Sequence, residues 1–191
     1  MLVETRKLLP GGRNGRHYFS QCSCYRTSAA LLLLPIAVLA IAYLVYGLFF
    51  GPWHASCSVS FRFAKSCPEV GQRLLETVER FGMNASCGNG SNCYYQIVSE
   101  EDNQLRLSHT TYNGKYIDDL YFSFLQSSSK ACKADGFSRS RVWYAVLDFG
   151  TNYCNLFNLI RGARLNAETG YAEETRDAIC TQFSSRDCDK Y

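Results

Sequence analysis

The sequence predicts an α+β protein: an N-terminal single transmembrane helix, then a disulfide-bonded antiparallel four-stranded meander flanked by helices. Three observations predict it. An uncharged apolar run fills Ala29–Phe50. Eight cysteines follow it, within a stretch the size of one domain. Segments of two-residue period then lie between segments of helical period.

The chain has 191 residues and a formal charge of +3. The excess is confined to residues 1–28, where Arg6, Lys7, Arg13, Arg16 and Arg26 face Glu4 alone. Residues 51–191 carry 15 basic and 16 acidic side chains, a balance that argues against a nucleic-acid-binding domain. As a helix, Ala29–Phe50 would cross roughly 30 Å of hydrocarbon, and it exceeds the apolar core of a cleaved signal peptide. It reads as a signal-anchor. The basic cluster precedes it, so positive-inside places residues 1–28 in the cytoplasm as a tail and makes a type II, integral membrane protein. The endoplasmic reticulum, Golgi and plasma membrane all fit. Cys22 and Cys24 lie beside the span, as S-acylation sites or as unmodified thiols.

Residues 51–65 read as a stalk, with Trp53 as an interfacial anchor, and residues 66–191 as a lumenal or extracellular domain. Its cysteine framework is Cys57, Cys67, Cys87, Cys93, Cys132, Cys154, Cys180 and Cys188, an even set suited to an oxidising compartment. Cys87–Cys93 and Cys180–Cys188 are the local pairing guesses. Two sequons, at Asn84 and Asn89, agree with that side of the membrane.

Each element has its own signal. Ser66-Cys-Pro-Glu69 has the form of a capping box, and Val70, Leu74, Val78 and Phe81 continue it as one apolar stripe ending at Gly82. Tyr94–Ser99 reads as a strand. Leu105, Leu107, His109 and Thr111 alternate with polar residues, Asn113-Gly114 marks a hairpin, and Tyr116–Leu125 is the return strand. Beyond the polar stretch from Gln126 to Gly136, Arg141–Phe149 (RVWYAVLDF) reads as a central strand. Asn152 is the expected cap of a second helix, with Tyr153, Leu156, Phe157 and Ile160 as its buried stripe. A weaker helix is expected over Ala172–Gln182 with Ile179 inward, and Cys188 would tie down the tail.

Asp118-Asp119, Ser138-Arg-Ser-Arg141, Asp148-Phe-Gly150 and Asn152 together resemble a family of small bacterial and plant proteins of unknown function. That family has an aspartate pair before a strand and a pattern like S-x-S-R-x-G-x-x-D-x-G-x-N. The likeness covers roughly Leu75 to Leu165. Here two extra residues separate Arg141 from Asp148, and Trp143 replaces a small residue. The resemblance implies the fold and no reaction.

For chemistry, Asp118 and Asp119 point to opposite faces of one strand, so they do not converge on one substrate. Asp118 shares the face of Leu120 and Phe122 and needs a buried partner, with Arg139 or Arg141 the obvious choice. That arrangement is either a structural ion pair or, with Asp148, a ligand site: Arg139, Arg141, Asp118 and Asp148 are the candidates. Asp148-Phe-Gly150-Thr-Asn152 otherwise reads as a strand-to-helix turn. No HExxH, GxSxG or phosphate loop occurs, so no catalytic residue, metal or cofactor is expected. The aromatic strands suit either a packed core or a pocket for an apolar ligand. The expected function is a non-enzymatic domain that binds a protein partner or itself, the alternative being a lipid or small anionic ligand at the membrane surface.

Overall fold

The computed structural model describes residues 33–45, 53–82 and 93–190. The chain divides into two units, Met1–Tyr46 and Gly47–Tyr191. In the first, residues 33–45 form helix α1. At 1.5 Å per residue it spans only about 20 Å, and no helix among the described residues is long and apolar enough to cross a membrane. The expected transmembrane helix is corrected accordingly. The other residues of Ala29–Phe50, the tail with Cys22 and Cys24, and the Cys87, Asn84 and Asn89 segment lie outside the described residues.

The second unit is α+β, but its sheet has six strands, not four. They are β1 (Ser56–Phe63), β2 (Tyr95–Glu101), β3 (Gln104–Thr110), β4 (Ile117–Ser128), β5 (Ala131–Ser140) and β6 (Ala172–Glu174). Every pairing is antiparallel and the order is β2-β3-β4-β5-β1-β6. The meander β2–β5 is real, and β1 then closes against β5 from the segment read as a stalk. Its alternation is clean: Cys57, Val59, Phe61 and Phe63 are buried, while Ser56, Ser58, Ser60 and Arg62 are not.

Another correction follows β4. Much of the polar stretch from Gln126 to Gly136 belongs to a strand, Ala131–Ser140, and Arg141–Phe149, read as the central strand, lies in an irregular loop. The inward residues of β5 are Cys132, Ala134, Gly136, Ser138 and Ser140. All are small, so β5 lacks the bulky apolar signature of a central strand. The reason is close packing: a Cβ on Gly136 would meet Phe122 and Phe61 at 3.2 Å and Leu156 at 3.4 Å.

Two helices cover the inner face. In α2 (Cys67–Arg80) the Ser66 hydroxyl accepts from the Glu69 amide, Pro68 sits in the first turn, and Val70, Leu74 and Val78 are buried. In α3 (Thr151–Gly162) Tyr153, Leu156, Leu159 and Ile160 are buried. Its cap position is Gly150, at φ 79°, rather than Asn152. The expected helix over Ala172–Gln182 is instead β6 followed by turns, and Ile179 is exposed.

Three disulfides lie among the described residues: Cys57–Cys180, Cys67–Cys132 and Cys154–Cys188. Cys93 is disulfide-bonded as well. The expected Cys180–Cys188 pair is wrong. Cys180 bridges Cys57 through its backbone also, and Cys188 reaches α3. Disulfides of this kind point to an extracellular or secretory-pathway location.

Candidate functional site

Strand register arranges the inner face of the sheet in rows. Phe61, Ala134 and Phe124 form one, and Val59, Gly136, Phe122 and Leu105 the next. Cys57, Ser138, Leu120 and Leu107 follow. The last row is His109, Asp118 and Ser140, on neighbouring strands β3, β4 and β5. Polarity therefore rises along the strands until the core ends in three polar side chains, all buried.

Helix α3 supplies the partners these groups require. Asn152 and Asn155 lie three apart, on one helix face, and are each 1% exposed. Asn155 Nδ2 donates to Asp118 Oδ2 at 2.7 Å, and Ser140 also hydrogen-bonds Asp118. The Ser138 hydroxyl donates to Asn152 Oδ1 at 2.7 Å. Tyr95 closes the far side, its ring 4.5 Å from that of His109 and its hydroxyl donating to the Asn155 carbonyl. Burial is the largest influence on Asp118 and pushes its carboxyl above the ordinary aspartate value; Asn155 and Ser140 oppose that push without cancelling it.

Asp148 enters from the 141–150 loop, two residues before the Gly150 cap of α3. Its carboxylate accepts from the amides of Gly150 (3.1 Å) and Asn152 (3.0 Å) and from Asn152 Nδ2 (2.7 Å). Here too burial dominates and raises the carboxyl, against the hydrogen bonds from Asn152 and Gly150. Gln182 Oε1 accepts from the amides of Asp148 and Phe149 and so steadies the turn.

Between the polar row and the loop lies a cavity of about 470 Å³. His109, Asp118, Ser140, Asp148 and Asn152 contribute to its polar side. Tyr112, Tyr116, Val142, Tyr144, Leu147 and Phe149 form its apolar side. Of the four candidate ligand residues, Asp118 and Asp148 line this cavity, and Arg139 and Arg141 do not. Arg141 is held at the surface by Asp119, with Nε 2.9 Å and Nη2 2.6 Å from Oδ1. Arg139 is exposed, opposite Ser56 and Asp119 in the sheet. Asp118 is therefore partnered by an amide and a hydroxyl rather than by the expected arginine. Among the described residues, no group of three His, Cys, Asp or Glu side chains is placed to hold a metal ion.

Sequence reasoning missed Asn152 and Asn155 as site residues. The available signal was their spacing: two asparagines three apart on the otherwise apolar face of a helix must meet polar groups in the core.

No protein-family profile matches the chain, and no curated protein does. Two solved structures are similar in part. One is the open form of parafusin, an exocytosis-sensitive phosphoprotein (phosphoglucomutase) from Paramecium, at 10% identity and TM-score 0.35. That match covers 69% of this chain and 24% of the other, so the chain spans about a quarter of that protein's length. The second is a START superfamily protein from Mycobacterium smegmatis, at 10% identity and TM-score 0.32, covering 59% of this chain and 97% of that one. Likenesses this weak carry no argument about function.

Proposed function

We propose that the disulfide-bonded unit is a non-catalytic binding domain of the extracellular or lumenal space, and that it takes a small amphipathic molecule into the cavity beneath the 141–150 loop. The observation that carries this reading is the cavity's division: buried hydrogen-bonding groups on one side and exposed aromatic and aliphatic side chains on the other. The order of the polar row argues against nucleophilic catalysis. Asp118 stands between Ser140 and His109, so the hydroxyl faces a carboxyl and not the imidazole that would have to take its proton.

The test is native mass spectrometry of the disulfide-intact protein after exposure to a small-molecule extract. A mass excess that vanishes on denaturation, and is lost in Leu147→Arg, supports the proposal. A bare polypeptide mass after every extract would sink it.

A protein partner is the second reading, and one observation favours it. Trp143 is 84% exposed, packs edge-on against Tyr144 and lies outside the cavity lining. Exposed tryptophans of this kind are enriched at protein interfaces. Co-purification from cells should yield a stoichiometric partner, or a second copy of the chain, that Trp143→Ser releases. A monomer with no partner in either form would rule this reading out.

A further inference from the structure

We infer that the cavity beneath the 141–150 loop selects a small organic cation, an alkyl- or quaternary ammonium, over neutral and anionic molecules of the same shape. The inference rests on the cavity being a ligand site and adds the chemistry of its occupant.

Charge is the first argument. Two carboxyls, Asp118 and Asp148, line the cavity, and no lysine or arginine does. The Arg141 guanidinium is engaged at the surface by Asp119. An anion entering here would face two acidic groups, with His109 beside Asp118 and the Lys115 ammonium only at the rim, whereas a cation would find both carboxyls. The named hydrogen-bond partners of Asp118 are an amide and a hydroxyl, which orient the carboxyl without carrying a charge of their own.

Aromatic faces are the second argument. Tyr112, Tyr144 and Phe149 line the cavity, and each is more than half exposed, so the fold leaves much of their surface uncovered. An aromatic face is the negative pole of the ring quadrupole and attracts ammonium groups. The rim already shows this preference: the Lys115 ammonium stands 5.0 Å from the centre of the Tyr116 ring. A metal ion is the weaker occupant, because no set of three metal-ligating side chains converges among the described residues. A volume of about 470 Å³ admits a trimethylammonium group with a short polar arm.

The experiment titrates the full-length protein with choline, its uncharged isostere 3,3-dimethylbutanol and the anion 3,3-dimethylbutanoate, following the backbone amides of Gly150 and Asn152 by NMR. Choline is expected to bind about tenfold tighter than the alcohol, the discrimination that cation–π and carboxylate contacts supply. Tyr144→Leu, at an exposed loop position that leaves the fold intact, should lower choline affinity several-fold and leave the alcohol unchanged; Asp118→Asn should do the same. If the alcohol or the anion binds as well as choline, the cation inference is overturned while the cavity remains a ligand site. If none of the three moves these amides, the cation inference falls, and the extract experiment decides the cavity reading separately.

Discussion

Asn155 Nδ2, on α3, donates to Asp118 Oδ2, on β4, at 2.7 Å across the helix–sheet interface. An amide satisfies the geometry of a buried carboxyl without offsetting its charge. The neighbouring carboxylates Asp148 and Asp119 raise its proton affinity further; His109 lies across the strand pair and Tyr95 beyond it.

Stability should therefore depend on pH through Asp118, with a definite sign. Its carboxyl lies above the ordinary value of 3.8 in the fold, so the native state holds the proton more tightly than the unfolded chain. The contribution is most favourable below 3.8 and is lost as pH rises through the folded value. Asp118→Asn removes that loss: relative to the parent it should gain stability between pH 4 and pH 7. Urea titrations at several pH values measure it, and parallel curves for the two proteins would refute it.

Gly150→Ala should be far more damaging than Gly114→Ala. Both glycines have positive φ, 79° and 67°, but a Cβ at Gly150 would lie 2.6 Å from Arg186 Cβ, while Gly114 faces open space. The expected costs are about 1 kcal/mol at Gly114 and about 3 kcal/mol or more at Gly150. Equal thermal shifts in the two variants would show that Arg186 does not pack against this turn.

The disulfides should rank by the loops they close. Cys57–Cys180 spans a sequence separation of 123 and Cys154–Cys188 one of 34. Replacing both cysteines of a pair by serine should cost about 2–5 kcal/mol, with the longer loop dearer by roughly 1 kcal/mol. Denaturant unfolding of the two double variants provides the comparison, and the reverse ranking would count against the loop-entropy account.

Trp143 and Leu156 should separate recognition from stability. Trp143→Ser alters an 84% exposed side chain and should change stability by less than about 0.5 kcal/mol. Leu156→Ala opens a hole beside Gly136 and should cost about 2–5 kcal/mol. A strongly destabilised Trp143→Ser would mean that the loop is packed rather than presented.

What is legible in this sequence is what short-range signals encode. Helix α2 carries its own cap, proline and stripe within fifteen residues, and the hairpin at Asn113-Gly114 carries its own turn. Strand β5 carries nothing local, because Ala134, Gly136 and Ser138 are small for the sake of Phe61, Phe122 and Leu156, which arrive from three other elements. Segment 141–150 misleads for the converse reason: its apolar residues serve a surface. In the site, Asp118 and Asp148 stand out as carboxylates, but their partners are asparagines on a helix, and composition alone does not show that those face inward.

The Cys57–Cys180 bond carries a mechanical consequence. It joins the first strand to the segment after the last, so a pull between residue 53 and the C-terminal end travels along 53–57, across the sulfurs, and out through Cys180. The sheet and both its helices lie within the loop that those sulfurs close, and Cys154–Cys188 fastens the tail to α3 beside that line. Under load this unit should lengthen by only its few terminal residues, and a single cut anywhere between 58 and 179 would leave the two ends still tethered. Reduction would turn the same domain from a strut into an extensible thread.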